Sequence, residues 1–486
     1  VTTFRVIFLV VCLSLLGITL AAQDNNADAI DAFMENQLVA QRIPGMALVI
    51  VYADGTTDLR TYGDDGTSNS ITAETLFRIG SLSKSMTAVA ILQLVEDGSL
   101  TLDDTVQQHI PDFSVTHANN ETDITIRQLL HHTSGLSDRD FVSGTDRHPS
   151  LASLTADLGS TDLTSPPNTT FAYFNHNYDL LGRIIEVVSG QSYADYMASA
   201  VFEPLGMRHA LARDVSDTDN VPQLTQGHIL LYGFPLAHDE NLNAYAPSGG
   251  VLASASDMAG YLSLFVSDTP LILSTERIDL MFSPPDSLDS AYGMGWFEGT
   301  LPDDSSVYYH SGDLQTAHAD MMLLPDDGIA FAVLYNRQNL LSTFTTYPEI
   351  RNGIAAILRG QTPTTGLSAS VLGIIILVVS LLIVLNDVRR LLQHPKWIQQ
   401  MQDKSVLEQG MSLLAPLFPV MILLFLPQII RGIVGQAIDY DTLIAYLPDI
   451  MLLLLVTATI GSLTVIRRVV TLLNNRMSST NQQETL

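Results

Sequence analysis

The stretch Phe77-Arg78-Ile79-Gly80-Ser81-Leu82-Ser83-Lys84 is the key to this chain. Directly after it, Ser83 to Glu96 carries apolar Met86, Val89, Ala90 and Leu94 at helical spacing and stops at Asp97-Gly98. Ser81 therefore stands at the first turn of a helix, where free N–H groups and the dipole favour negative charge. Residues at i and i+3 share a helix face, so Lys84 lies on the side of Ser81. A lysine beside a serine hydroxyl can take its proton where an apolar setting favours the neutral amine, and Ile79, Leu82, Met86 and Ala88 can supply one. Ser-x-x-Lys alone arises by chance about once or twice in a chain of this length. Scarcity lends it weight: Lys84, Lys396 and Lys404 are the only lysines, and Lys84 alone precedes residue 365.

The 486 residues carry 51 acidic against 23 basic side chains, a net charge of −28, and a single cysteine, Cys12. So acidic a chain lacks the basic face that nucleic acid requires. One cysteine excludes an intramolecular disulfide, a Cys-based zinc site and a Cys–His protease. Mean hydropathy is nevertheless +0.23, which implies that apolar and acidic residues are segregated along the chain. Only 7 of the 51 acidic residues follow residue 365.

The apolar residues collect at the two ends. Phe4 to Ala22 is an apolar run beside Arg5 that ends in Thr19-Leu20-Ala21-Ala22, so residues 1–22 read as a signal peptide or an N-terminal anchor. Three further runs, 367–385, 411–430 and 443–466, are each long and apolar enough to be transmembrane helices. Arg389, Arg390, Lys396 and Lys404 lie in 386–410, and Arg467, Arg468 and Arg476 lie in 467–486. The positive-inside rule makes these a cytoplasmic loop and a cytoplasmic tail. Residues 23–360 are then extracytoplasmic, as the N-terminal signal requires. The expected protein is a multi-pass protein of the cell membrane whose partner is the lipid bilayer.

Within 23–360, Gly45 to Tyr52 reads as a buried strand before an Asp54-Gly55 turn, and Ile329 to Tyr335 as another. Tyr178 to Val188 reads as a helix ending at Ser189-Gly190. Strands at both ends with helices between predict an α/β (α+β) domain whose sheet is closed by its two chain ends. Two more short patterns lie in it. Tyr173-Phe174-Asn175 is the one Tyr-x-Asn; its tyrosine could work as a phenolate base near a cation, and Asn175 could hold the lysine or a substrate amide. His310-Ser311-Gly312 is the one His-x-Gly, just after the strand-like Val307-Tyr308-Tyr309, and a small residue there lets a substrate lie along a strand edge. His131-His132 is adjacent, so its side chains diverge, and no metal-ligand spacing such as HExxH occurs.

Ser-x-x-Lys, Tyr-x-Asn and His-x-Gly, in that order, resemble the motifs of the penicillin-recognising serine hydrolases. The likeness is to the branch of class C β-lactamases, serine D,D-carboxypeptidases and β-lactamase-like esterases. Ile124 to Leu136 (ITIRQLLHHTSGL), Phe202-Glu203-Pro204-Leu205-Gly206-Met207, Pro247-Ser248-Gly249-Gly250 and Tyr292-Gly293-Met294-Gly295-Trp296 are also similar, so the resemblance covers residues 27 to 358. It implies a β-lactamase/transpeptidase-like fold: an antiparallel sheet flanked by helices, with a helical subdomain beside it and the site between them. Ser81 would be the acyl-accepting nucleophile, with Lys84 and Tyr173 sharing general-base work. Asn175 would orient Lys84 or the substrate, and His310, Ser311 and Gly312 would line the substrate-binding strand. The backbone N–H groups of Ser81 and Asp313 would form the oxyanion hole. Neither metal nor cofactor is implied.

Two departures bear on substrate. His310 stands where lactamases of this branch carry lysine, which weakens the hold on a β-lactam carboxylate. Asp313 puts a negative side chain beside the expected oxyanion hole, which disfavours anionic substrates. The expected function is a membrane-anchored serine hydrolase, esterase- or peptidase-like, acting on a small-molecule or peptide ester or amide. The alternative is a non-catalytic membrane receptor that binds a peptide or β-lactam.

Overall fold

The computed structural model describes residues 26–137, 148–214, 221–240, 244–267, 269, 271–285, 288, 290–401, 404–434 and 439–483. The N-terminal apolar run and Cys12 lie outside these residues.

Six strands form the main sheet: Gly45–Tyr52 (β1), Thr57–Gly63 (β2), Phe297–Thr300 (β3), Ser306–Asp313 (β4), His318–Leu324 (β5) and Ile329–Tyr335 (β6). Their order is β3-β4-β5-β6-β1-β2, antiparallel throughout. The expected closure is present, since β1 pairs β6 with Met46 opposite Tyr335 and Tyr52 opposite Ile329. β1 is apolar almost without interruption because both faces are covered. Met46, Leu48 and Ile50 pack with Ile30, Phe33 and Met34 of helix α1 (Asn26–Ala40) and with Ile350 and Ile354 further along the chain. Ala47, Val49 and Val51 join the opposite core with Met86 and Val89 of α2 (Ser83–Glu96). Burying each large apolar side chain contributes about 1.5–3 kcal/mol.

Between β2 and β3, the described residues form helices joined by long loops and a few short strands. Of these helices, α3 (Asn175–Ser189) starts three residues before the expected Tyr178 and closes on Gly190, whose φ of 73° suits a left-handed cap. After the sheet, α4 (Thr346–Leu358) covers the face shared with α1.

Among the described residues, three helical stretches are long and apolar enough to cross a membrane: Ala369–Leu392 (α5), Val406–Arg431, and Pro448–Asn474. The second is interrupted by a tight turn at Ala415–Leu417, after which α6 runs Phe418–Val434. The third run differs from its expected bounds. Tyr440–Tyr446 is a separate short helix (α7), and the long helix α8 starts at Pro448 and continues to Gln483. The break falls at Leu447 (φ −132°, ψ 48°), because a residue before proline is pushed out of the helical region. The expected loop 386–410 is also largely helical, through the end of α5 and His394–Met401. α8 packs tightly on the second stretch: a Cβ on Gly461 would lie 1.9 Å from the carbonyl oxygen of Pro416, so only glycine fits.

Candidate active site

Ser81 lies in a 3₁₀ turn, Gly80–Leu82, that runs into α2. Two glycines allow strand β4 to meet this turn backbone to backbone. Gly80 has φ +53°, and a Cβ on it would lie 3.1 Å from the amide nitrogen of Asp313. A Cβ on Gly312 would lie 2.0 Å from the carbonyl oxygen of Ile79 and 3.1 Å from the amide nitrogen of Ser81. The amides of Ser81 and Asp313 therefore meet at one junction.

Lys84 is fully buried one helical turn on. Its Nζ is 3.0 Å from Ser81 Oγ, 2.8 Å from Asn175 Oδ1 and 2.7 Å from the Ser248 carbonyl oxygen. The ring centre of Tyr173 is 4.9 Å from the same nitrogen, and the Tyr173 phenol hydrogen-bonds Ser81. Burial pushes the Tyr173 phenol well up; the bond to Ser81 opposes this and the charge of Asp313 adds to it. The phenol is therefore protonated at pH 7, not the phenolate expected from its place near a cation.

His310 shares the site face, its ring centre 6.3 Å from that of Tyr173. Its Nδ1 donates to the Ser311 carbonyl at 2.8 Å, and Nε2 lies 3.3 Å from the Tyr292 hydroxyl. Burial first, then the charge of Lys84, push its pKa down to about 3, so the imidazole is neutral at pH 7.

Ser311 and Asp313 differ from expectation, and the period of two along a strand is the reason. With His310 and Gly312 facing the site, these two side chains face the other way. Ser311 Oγ donates to Asp320 Oδ1 at 2.6 Å and accepts from Arg351 at 3.0 Å, so only its backbone serves the site face. Asp313 Oδ1 lies 2.8 Å from His318 Nδ1, accepts from the Thr343 hydroxyl at 3.1 Å and also accepts from the Gln338 amide. The carboxylate expected to confront the substrate is thus engaged on the far face.

That face holds a charge cluster which the sequence reading did not single out. His318 is buried between Asp313 and Asp320, whose Oδ2 is 3.0 Å from Nε2, and its ring stacks on Tyr347 at 3.7 Å. Burial pulls the imidazole pKa down, but Asp320 and Asp313 outweigh it and hold it at about 9. Burial raises Asp320 in turn, yet His318 and Arg351 hold it well below the carboxylate range.

His132 was also missed as a site residue. It is buried, takes φ 56°, and packs 4.4 Å from the Tyr173 ring centre and 4.9 Å from that of Tyr292. Its Nδ1 accepts from the Phe174 amide at 3.2 Å and from the Asn177 side chain at 3.0 Å, which steadies the Tyr173–Asn175 segment. The only signal was the quoted stretch 124–136, because a left-handed backbone at histidine leaves no periodic trace. Ser248 was quoted too, but its contribution is a carbonyl, which no side-chain pattern reveals. Among the described residues, no group of three or more His, Cys, Asp or Glu side chains is gathered as metal ligands would be.

Residues 27–352 match the family model described as Beta-lactamase. The chain is 28% identical over 325 residues to Protein flp of Staphylococcus aureus (strain N315), covering 64% of each chain, so the match spans just under two thirds of that relative. It is 31% identical over 337 residues to Penicillin-binding protein 4 of Amycolatopsis lactamdurans, covering 65% of this chain and 87% of the relative. The octameric penicillin-binding protein homologue from Pyrococcus abyssi superposes with a TM-score of 0.59 at 25% identity, over 70% of this chain and 78% of that one.

Proposed function

The chain belongs to the β-lactamase family of serine hydrolases, and on that premise we propose that it is a membrane-anchored, extracytoplasmic hydrolase that cleaves an ester, amide or peptide bond through an acyl-enzyme. The observation that carries this reading is the buried Lys84 Nζ, 3.0 Å from Ser81 Oγ and braced by Asn175 and Ser248. As a neutral amine it keeps all three contacts, donating to Asn175 Oδ1 and the Ser248 carbonyl and accepting from the Ser81 hydroxyl. Ser81 Oγ bonds to the acyl carbon as its proton passes to Lys84. Tyr173 protonates the departing oxygen or nitrogen and is reprotonated from Lys84. Water then attacks the acyl carbon, giving its proton to the same pair; the bond from the acyl carbon to Ser81 Oγ breaks, the pair returns the proton to that oxygen, and the acid leaves. The Ser81 and Asp313 amides stabilise the oxyanion, about 2.7–4 kcal/mol for a donor of this kind.

The neutral His310 bears on the substrate. Without a cation there, a β-lactam or peptide carboxylate gains little, which favours esters and uncharged amides. The acidic domain, the basic loop and the basic tail support an outward-facing domain. Intact-mass labelling of the full chain in detergent, with a fluorophosphonate and with a penicillin, tests the reading. Wild type should gain one fluorophosphonate adduct and Ser81→Ala none. A folded wild-type chain that accepts neither reagent overturns the hydrolase and leaves the peptide- or β-lactam-binding receptor.

A further inference from the structure

The catalytic domain is clamped onto the helical bundle through residues close to its own site. The hairpin His228–Leu231/Phe234–Ala237 turns at Gly233, and this tip abuts α5. A Cβ on Gly373 would lie 2.3 Å from the Gly233 nitrogen and 2.4 Å from the Tyr232 carbonyl carbon, so backbone touches backbone. The Tyr232 amide donates to the Asp449 carboxylate, and its hydroxyl lies 3.3 Å from the Asp449 carbonyl oxygen at the start of α8. Gln41 Oε1 accepts from the Ala369 amide at 2.7 Å, and Arg42 Nε donates to Ser370 at 2.9 Å, both at the start of α5.

The same seam runs to the oxyanion strand. Just below the hairpin, a Cβ on Gly227 would lie 2.1 Å from Thr316 Oγ1, in the turn that follows Asp313. Glu240 holds this turn by accepting from the amides of Gln315 at 3.2 Å and Thr316 at 3.0 Å. The Gln315 side chain in turn donates to Thr442 of α7, the short helix between α6 and α8, at 3.2 Å. Tyr446 of α7 is close enough to feel the charge of Asp313.

Around the seam, apolar side chains face outward: Phe344 is 74% exposed, Phe234 50%, Leu236 42% and Leu341 40%. Arg42 lies 4.2 Å over the Phe234 ring, a pairing suited to the level where hydrocarbon meets headgroups. These residues continue the apolar surface of α5 upward onto the catalytic domain. Asp313 is two residues from Gln315, at most about 7 Å of chain, so the oxyanion end of the site stands close to the level of α7, where the helices begin. A dissolved substrate gains nothing from that height, whereas an acyl bond on a lipid headgroup is already concentrated there.

We propose that the bond cleaved is carried on a membrane amphiphile and reaches Ser81 from the bilayer surface at the Asp313 end of the site, with Phe234 and Phe344 seated in the lipid interface. This rests on the hydrolase reading above. The test uses the full chain in phosphatidylcholine vesicles and two probes. One is dissolved p-nitrophenyl acetate; the other is the p-nitrophenyl ester of a succinyl group attached to the amine of dioleoylphosphatidylethanolamine. Wild type should show kcat/KM at least tenfold higher for the lipid-borne ester. Phe234→Ser/Phe344→Ser should lower that value at least fivefold and leave p-nitrophenyl acetate hydrolysis unchanged. Gln315→Ala, which cuts the contact to α7, should lower the lipid-borne rate selectively as well. No preference for the lipid-borne ester, or equal losses on both probes, overturns the inference while leaving the hydrolase intact. Failure on both probes by a wild type whose Ser81 resists fluorophosphonate removes the hydrolase and this inference together.

Discussion

His318 should make the domain lose stability in alkali, by an amount the geometry sets. Its imidazole faces Asp313 and Asp320, stacks on Tyr347 and neighbours Tyr335, with Arg351 reaching the same Asp320. In the folded chain its pKa is held at about 9 against an ordinary 6.5. The folded state thus keeps a proton that the unfolded state releases. For a raised pKa the stabilisation is complete below 6.5 and is lost as pH climbs through 9. The shift corresponds to roughly 3 kcal/mol. At about 2 cal/mol/K of unfolding entropy per residue, that is about 4 °C of Tm for a domain of this size. The assay is thermal unfolding of the full chain in detergent, read from the fluorescence of buried Trp296, in wild type and His318→Gln between pH 6 and 10. Wild type should be the more stable at pH 6, and the gap should shrink by about 4 °C on reaching pH 9.5. Parallel curves across this range refute the argument, because they mean that His318 takes up no extra proton on folding.

Gly312→Ala should disable the site from a distance of one backbone. Its Cβ would meet the Ile79 carbonyl oxygen at 2.0 Å, so strand and turn must part, costing about 1–3 kcal/mol of stability. The Ser81 amide moves with the turn, and kcat should fall by about 10²–10³, measured against stability by parallel ester hydrolysis and thermal unfolding. Asn175→Leu removes one of the three oxygens around Lys84 Nζ, and leaving a buried donor unpaired costs about 1–3 kcal/mol. The fluorophosphonate labelling rate should drop about 10- to 100-fold with the fold retained, and an unchanged rate would show that Asn175 does not brace the lysine.

Local pattern made much of this molecule legible in advance. The strands Gly45–Tyr52 and Ile329–Tyr335 and the helix Ser83–Glu96 have their expected bounds, because each is a continuous apolar or helical period ended by turn residues. The three apolar stretches are likewise helices, since apolar runs of such length have few alternatives. Leu447-Pro448 was legible too, but its consequence was overlooked: the residue before proline ended α7, and what was read as one run became two helices.

By itself the sequence determined that Ser81 and Lys84 share a helix face and that strands from both ends of the domain close one sheet. It also determined that the chain's last quarter holds helices long and apolar enough to cross a membrane. These follow from periods of 3.6 and 2 residues, which are properties of neighbouring positions. Only the tertiary structure decided which side chains on β4 share a face with Tyr173. Alternation names two sets, His310 with Gly312 and Ser311 with Asp313, but the helices covering each face determine which set is inward. It also decided that the Asp313 carboxylate pairs with His318 on the opposite face. The acceptors that brace Lys84 come from 91 and 164 residues away, and the turn after β4 meets the short helix α7 127 residues on. Such contacts exist only once distant segments pack, so no local pattern encodes them.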